Sequence, residues 1–364
     1  MKPNQKTIVI SGINMNQSGI LTILHDCLFF LSQYAKANNI RIIALVPSAS
    51  LINIPGIEYH EFPKSKRSWF LRLYYEFYFF RKLSQQIRPD VWLSLHDITP
   101  NVTAPRKFVY WHNPTPFFHP KLKDWRFGFK ICVFSMLYKY VYRIHAESNT
   151  AIIVQQKWIK DAFRKMYGLN NIVTAAPEVH HISSELKLNL DQNKIHFFYP
   201  AYPRTFKNFE TVCKAVEMLP MEIRSRIMIH LTLKDENSYA RHIYSSYQHL
   251  PEIVFTGVLT RAEVAAYYNS CDALVFASRL ETWGLPLSEI QHYEKPVFAS
   301  DLPYAHESLS GYDKMWFFAA EQPEELAGLI TKYVNSTLPT SIKSERIGSD
   351  FLTWNSMFNY IFSE

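Results

Sequence analysis

Short apolar runs of strand length alternate with longer helical stretches down this chain, and the alternation lapses once and then restarts. Runs at 6–12, 41–46, 90–95, 107–111 and 151–154 are rich in Ile, Val, Leu and aromatic residues and stop at polar or Gly-containing segments, the mark of buried strands. Helical patterns at 19–37, 68–86 and 129–142 lie between them. Such alternation predicts a parallel sheet covered by helices on both faces. From 174 to 193 the sequence turns polar and aperiodic, which reads as a linker. Strand patterns then return at 195–199, 228–232, 253–255, 273–276 and 296–299, with helices at 208–218, 261–269 and from about Pro286. The expected fold class is therefore α/β, with two Rossmann-like domains facing across a cleft. The expected boundaries are 1–185 and 190–345, with a last amphipathic helix in 346–364. A length of 364 residues suits two such domains.

Bulk properties narrow the setting. No uncharged apolar window is long enough for a membrane-spanning helix, and the first residues run straight into a strand without signal-peptide architecture. Cys27, Cys132, Cys213 and Cys271 are far apart and lack metal-ligand or redox spacing. These features read as a cytoplasmic protein with reduced thiols. Residues 1–150 hold 19 Lys+Arg and 8 Asp+Glu, a balance of +11; the whole chain is +7, so 151–364 carries −4. The basic half points to an anionic membrane surface or a phosphate-bearing acceptor. Nucleic acid is not expected, because no recognised binding module accompanies the charge.

The chemistry concentrates after the strand at 273–276. Glu281 and Glu289 are separated by seven residues, with Gly284, Leu285 and Pro286 between them. Proline favours the first turn of a helix, so a helix start near Pro286 leaves Glu281 in the preceding loop and Glu289 on the first turns. Backbone N–H groups around Gly284, reinforced by the helix dipole, would suit a diphosphate. Glu289 is then within reach of a ribose diol and Glu281 of a transferred sugar, since carboxylates accept paired hydroxyl hydrogen bonds.

These residues resemble the large family of retaining glycosyltransferases of the GT-B type that carries an E-x7-E motif. The resemblance covers most of the second half: Tyr199 to Asn208, Phe255-Thr-Gly257, Tyr268 with Cys271 to Phe276, Glu281 to Glu289, and Lys295 to Asp301. It implies that Lys207 clamps the donor diphosphate, neutralising the leaving group. The family's partner arginine falls at Tyr202 here, and Arg204 is the nearby replacement. The loop at Gly257 is implied to approach the nucleotide base, the loop bracketed by Gly12 and Gly19 to close over the donor and acceptor sites, and the last helix, in 346–364, to cross back onto the first domain. His112 is implied on the sugar side, with His96 and Asp97 as weaker acceptor-side candidates.

The resemblance thus implies a metal-independent enzyme without a cofactor. It would move a sugar from a nucleoside-diphosphate sugar to a saccharide acceptor, with retention, in the building of a surface polysaccharide. A nucleotide-sugar epimerase on the same fold and a non-catalytic partner in a glycan-assembly complex are the alternatives. The basic, aromatic segment 64–82 reads either as an interfacial helix on anionic lipid, which 121–139 would extend, or as a crossover helix packed on the first sheet.

Overall fold

The computed structural model describes residues 5–16, 18–177, 179, 184–186, 188–341, 347–351 and 353–362. They form two compact units. Unit 1 comprises Met1–Asn113, Leu137–Glu178 and Gly348–Glu364; unit 2 comprises Pro114–Met136 and Val179–Ile347.

Unit 1 holds the strands β1 (Lys6–Ser11), β2 (Ile40–Val46), β3 (Ile57–Glu61), β4 (Val91–Ser94), β5 (Arg106–Trp111), β6 (Ala151–Val154) and β7 (Ile172–Thr174). They pair in the order β3-β2-β1-β4-β5-β6-β7, all parallel. Unit 2 holds β8 (Ile195–Tyr199), β9 (Ile227–Leu231), β10 (Ile253–Phe255), β11 (Ala273–Phe276), β12 (Val297–Ser300) and β13 (Met315–Phe318). Their order is β10-β9-β8-β11-β12-β13, again all parallel. Counted from its own first strand, each sheet begins 3-2-1-4-5-6. The chain therefore builds the same doubly wound order twice, with the switch point between β1 and β4 in one unit and between β8 and β11 in the other.

Alternation along β1 shows why both faces need cover. Ile8 and Ile10 enter one core with Leu24, Leu28 and the closing helix residues Trp354, Met357, Phe358 and Ile361. Val9 enters the opposite core with Ile43, Phe80 and Trp92. The closing helix, Trp354–Phe362, thus belongs to unit 1, with Phe358 stacked on Phe30 at 4.7 Å.

One boundary differs from the expectation of an unbroken first domain to residue 185. Pro114–Met136 packs in unit 2. Its charges explain the placement: Asp124 accepts from Arg279 at 2.6 Å, while Lys121 pairs with Glu321 and Lys123 with Glu210. The Phe127 ring stacks on His242 at 4.7 Å. Residues 121–136 therefore do not extend the 64–82 segment within unit 1. The 174–193 stretch read as a linker includes 178, 180–183 and 187, which lie outside the described residues.

The 64–82 segment enters a continuous helical run: α-helix Trp69–Tyr74, a π-helical turn Tyr75–Phe79, and α-helix Phe80–Ile87. Arg72, Glu76 and Phe80 face the interior, whereas Phe70, Tyr74 and Tyr78 stand exposed at i, i+4 and i+8. The run is both a packed crossover and an aromatic surface stripe. Among the described residues no helix is long and apolar enough to cross a membrane.

Candidate functional site

The carboxyl ends of β8 and β11 bring the motif residues of unit 2 together. These strands are parallel neighbours at the switch point, so the loops that follow them emerge side by side. Lys207 closes the 3-10 turn Thr205–Lys207 after β8, and Glu281 lies in the loop after β11. Their side chains, both mostly buried, form a direct ion pair from Nζ to Oε1. The Lys207 ammonium also lies 5.7 Å from the Phe206 ring centre and 5.6 Å from that of Phe276. Arg204 is exposed, and its guanidinium lies 6.0 Å from the same Phe206 ring. Lys207 and Glu281 thus meet at the switch point, and Arg204 opens the same 3-10 turn that Lys207 closes. Tyr202, where the resemblance would put arginine, is exposed.

Glu289 is buried, and both its oxygens are engaged. Tyr268 donates its hydroxyl to Oε2 at 2.9 Å, and Arg261 donates to Oε1 at 2.7 Å. Burial, then the Glu289 charge, holds the Tyr268 phenol well above its ordinary value, so the tyrosine remains the donor. The two contacts differ in permanence. Tyr268 is fully buried, whereas the Arg261 side chain is 67% exposed and can swing away.

Between the two glutamates the backbone turns sharply. Gly284 has φ +78°, and a Cβ there would sit 3.3 Å from Leu287 Cδ1 and 3.4 Å from Phe276 Cε1. The helix it caps is short: α-helix spans only Leu285–Glu289, followed by the 3-10 turn Ile290–Tyr293. Pro286 has no N–H, and the Leu287 N–H is bonded to Gly284 O at 2.8 Å. Five helical residues also sum to a small dipole. The turn therefore adds a small dipole to the expected anion site at Gly284 to Pro286, and Lys207 supplies the formal positive charge at the switch point.

The sequence reading overlooked three participants in unit 2. Arg261 begins a helix far from the motif in sequence, and no local pattern marks it as the partner of Glu289. Arg279, two residues before Glu281, is locked on Asp124 and also donates to Thr205 O at 3.2 Å. Burial would raise the Asp124 carboxyl, but the Lys121 N–H and then the Arg279 bond and charge hold it below the usual range. Arg279 is thus committed to shaping the site loops. At Gly257, φ is +73°, and Glu236 braces the turn by accepting the N–H of Val258 at 3.1 Å and of Lys234 at 2.8 Å.

The remaining candidates lie in unit 1. A Cβ on Gly12 would fall 2.8 Å from Leu24 Cδ2, so this glycine serves the close approach of the loop to its helix. His112 follows β5; its N–H and that of Asn113 donate to Asp97 Oδ1 at 2.7 and 3.0 Å. Asp97 holds φ +71° to do so. The His112 Nδ1 is 3.7 Å from the same oxygen and buried without a hydrogen bond. His96 sits at the switch point of the first sheet, its Nε2 2.9 Å from Ser11 Oγ and its Nδ1 3.3 Å from Glu76 Oε1. Burial and the nearby Arg72 charge hold His96 well below the usual histidine value, so it is neutral. Among the described residues no group of three or more His, Cys, Asp or Glu is placed to hold a metal ion.

A family model described as glycosyl transferases group 1 matches residues 162–349, just over half of the chain. An alpha-monoglucosyldiacylglycerol synthase of Streptococcus pneumoniae is 30% identical over 112 residues, which is 30% of this chain and 25% of that protein. The match therefore spans about a quarter of that relative's length. Two solved structures share the fold. Sucrose-phosphate synthase from Thermosynechococcus elongatus has TM-score 0.65 at 11% identity, covering 92% of this chain and 90% of that one. Anabaena HepE in complex with UDP-glucose has TM-score 0.62 at 13% identity, covering 91% and 90%.

Proposed function

The chain belongs to the group 1 glycosyl transferases, and from that premise we propose that it transfers a sugar from a nucleoside-diphosphate sugar to a saccharide acceptor, with retention and without a metal. The observation that carries this reading is the Lys207–Glu281 pair at the switch point of the second sheet, with Arg204 on the same turn as Lys207 and Glu289 held by Tyr268 at the end of the motif. Lys207 and Arg204 take the diphosphate, and Glu289 exchanges Arg261 for the ribose diol. Glu281 leaves Lys207 to the phosphate and accepts sugar hydroxyls. That Anabaena HepE was solved with UDP-glucose supports a nucleoside-diphosphate hexose as donor.

In the step itself the bond from the anomeric carbon to the diphosphate oxygen breaks, and the acceptor hydroxyl forms its bond on the face the diphosphate leaves. The acceptor proton passes to a leaving phosphate oxygen, so no separate base is required. The cations stabilise the growing charge on the diphosphate. The role expected of His112 is a hydrogen bond to the sugar, its backbone N–H being fixed on Asp97. A lipid-borne glycan acceptor accords with the basic first unit.

Product analysis tests the reading. Purified protein, a panel of α-linked nucleotide sugars and a saccharide acceptor should give an α-linked product by NMR of the anomeric proton, unchanged by EDTA. An inverted linkage sinks the retaining assignment, and loss of turnover with chelator sinks the metal-free one.

A further inference from the structure

A cavity of about 230 Å³ opens in unit 1, lined by Asn14, Ser65, Lys66, Ser68, Trp69 and Arg72. Asn14 is on the loop after β1, and Arg72 donates to the backbone carbonyl of His96, just past β4, at 2.7 Å. The cavity therefore sits at the switch point of the first sheet, where open α/β sheets place ligands.

Its polarity is one-sided. None of the six lining residues is acidic, and two are cations. Arg72 is 9% exposed, and its Nε is buried without a hydrogen-bond partner. The nearest carboxylate is Glu76, one turn along the helix, with Oε1 3.9 Å from that Nε. Glu76 does not cancel the arginine. It is fully buried, and burial pushes its carboxyl up to about 8, so it is largely the neutral acid at pH 7. Burial and the Arg72 charge keep His96 neutral as well, so neither neighbour offsets the guanidinium.

Lys66 meets Asn16 Oδ1 and lines the cavity. Partial burial first, and the Arg72 charge second, hold its ammonium below the usual lysine value, and the two cations line the same cavity. An anion relieves that repulsion. The neutral lining selects further. The Ser65 hydroxyl gives its proton to Ile13 O and keeps only acceptor capacity, and Asn14 Oδ1 is a buried acceptor without a partner. A bare anion leaves those acceptors unmet, whereas a ligand with both an anion and O–H groups satisfies them.

We propose that this cavity binds a phosphate monoester carried on a hydroxylated small molecule, with the phosphate on Arg72 and Lys66 and the hydroxyls on Asn14 and Ser65. Arginine suits the phosphate because its planar guanidinium presents several N–H donors, of which Nη2 already serves the His96 carbonyl. Under the transferase reading the ligand is the acceptor, or the group that carries it; that role rests on the reading, while the binding itself does not.

The test is calorimetric titration of the full chain, without donor, using glucose 6-phosphate, inorganic phosphate, glucose, and vesicles with or without phosphatidic acid. Glucose 6-phosphate should bind more tightly than inorganic phosphate, and glucose should not bind. Lys66→Gln, an exposed position that leaves the core intact, and Arg72→Gln should each weaken binding about tenfold or more. Binding to phosphatidic acid vesicles alone, weakened by the same two variants, supports the proposal with a lipid as the source of the monoester. No binding to either phosphate source overturns it, as does wild-type affinity in both variants. Binding of glucose 6-phosphate by a chain that transfers sugar from no nucleotide donor sinks the transferase reading and leaves the cavity standing; turnover without phosphate-ester binding does the reverse.

Discussion

Tyr268 gives its buried hydroxyl to Glu289 at 2.9 Å, and this bond fixes one carboxylate oxygen while the other faces the exposed guanidinium of Arg261. A carboxylate held from behind and loosely guarded in front is pre-organised for a diol. Glu289→Ala should weaken nucleoside-diphosphate binding about tenfold or more, because both hydroxyl contacts are lost. Tyr268→Phe should weaken it less, since the carboxylate stays but loses its orientation. Isothermal titration with UDP and other nucleoside diphosphates checks both. Wild-type affinity in Glu289→Ala removes Glu289 from the nucleotide site.

The Lys207–Glu281 ion pair predicts a split between binding and turnover. The pair must open before a diphosphate can take the lysine. Glu281→Gln frees Lys207 in advance, so UDP should bind as tightly as in the wild type or more so, while turnover falls about a hundred- to a thousand-fold. Lys207→Ala should depress both. Parallel titration and initial-rate measurements read the split; weaker UDP binding in Glu281→Gln would count against the proposed division of labour.

How much of this was legible in the sequence follows from burial. Most of the strands read correctly lie inside the sheets, where both faces are covered and the apolar run is continuous, as in Ala273–Phe276; the edge strand Ile253–Phe255 was legible as well. The three overlooked strands, β3, β7 and β13, all lie at sheet edges. Ile57–Glu61 has no fully buried residue, and Ile172–Thr174 is only three residues long, so neither makes an apolar run. The site divides in the same way. Glu281, Glu289, Gly284 and Lys207 lie in compact motifs. Arg261 and Asp124 reach the site only through the fold, and the excursion of 114–136 into unit 2 left no trace in an alternation that continued across it.

The stripe of Phe70, Tyr74 and Tyr78 predicts a membrane response from unit 1. These rings stand exposed beside the basic residues Lys64 and Arg67, a combination suited to the interface of anionic lipid. The protein should co-sediment with anionic vesicles and release at high salt. Charge reversal at Lys64 and Arg67, or Phe70→Ser with Tyr74→Ser, should reduce that binding several-fold and leave Lys66 and the cavity untouched. Equal partition onto neutral vesicles, or none onto anionic ones, refutes the interfacial reading.

Glu76 makes stability depend on pH in a direction opposite to that of an ordinary paired carboxylate. Burial lifts its carboxyl from an ordinary 4.5 to about 8. Between those values the folded chain holds a proton that the unfolded chain has released. Stability attributable to this group is therefore full below the unfolded value and falls as pH rises through the window. At pH 7 the cost is roughly 3 kcal/mol, from about 1.4 kcal/mol for each pH unit above the unfolded value. Glu76→Gln is neutral throughout and lacks that slope. Chemical denaturation of the two proteins at pH 5.5 and 7.5 should show the variant gaining about 2 kcal/mol relative to the wild type at the higher pH. Equal pH dependence in both would mean that Glu76 is ionised in the folded chain. The same variant bears on Arg72: with a neutral residue at 76 the arginine keeps its charge, so phosphate-ester binding at neutral pH should survive Glu76→Gln while stability changes.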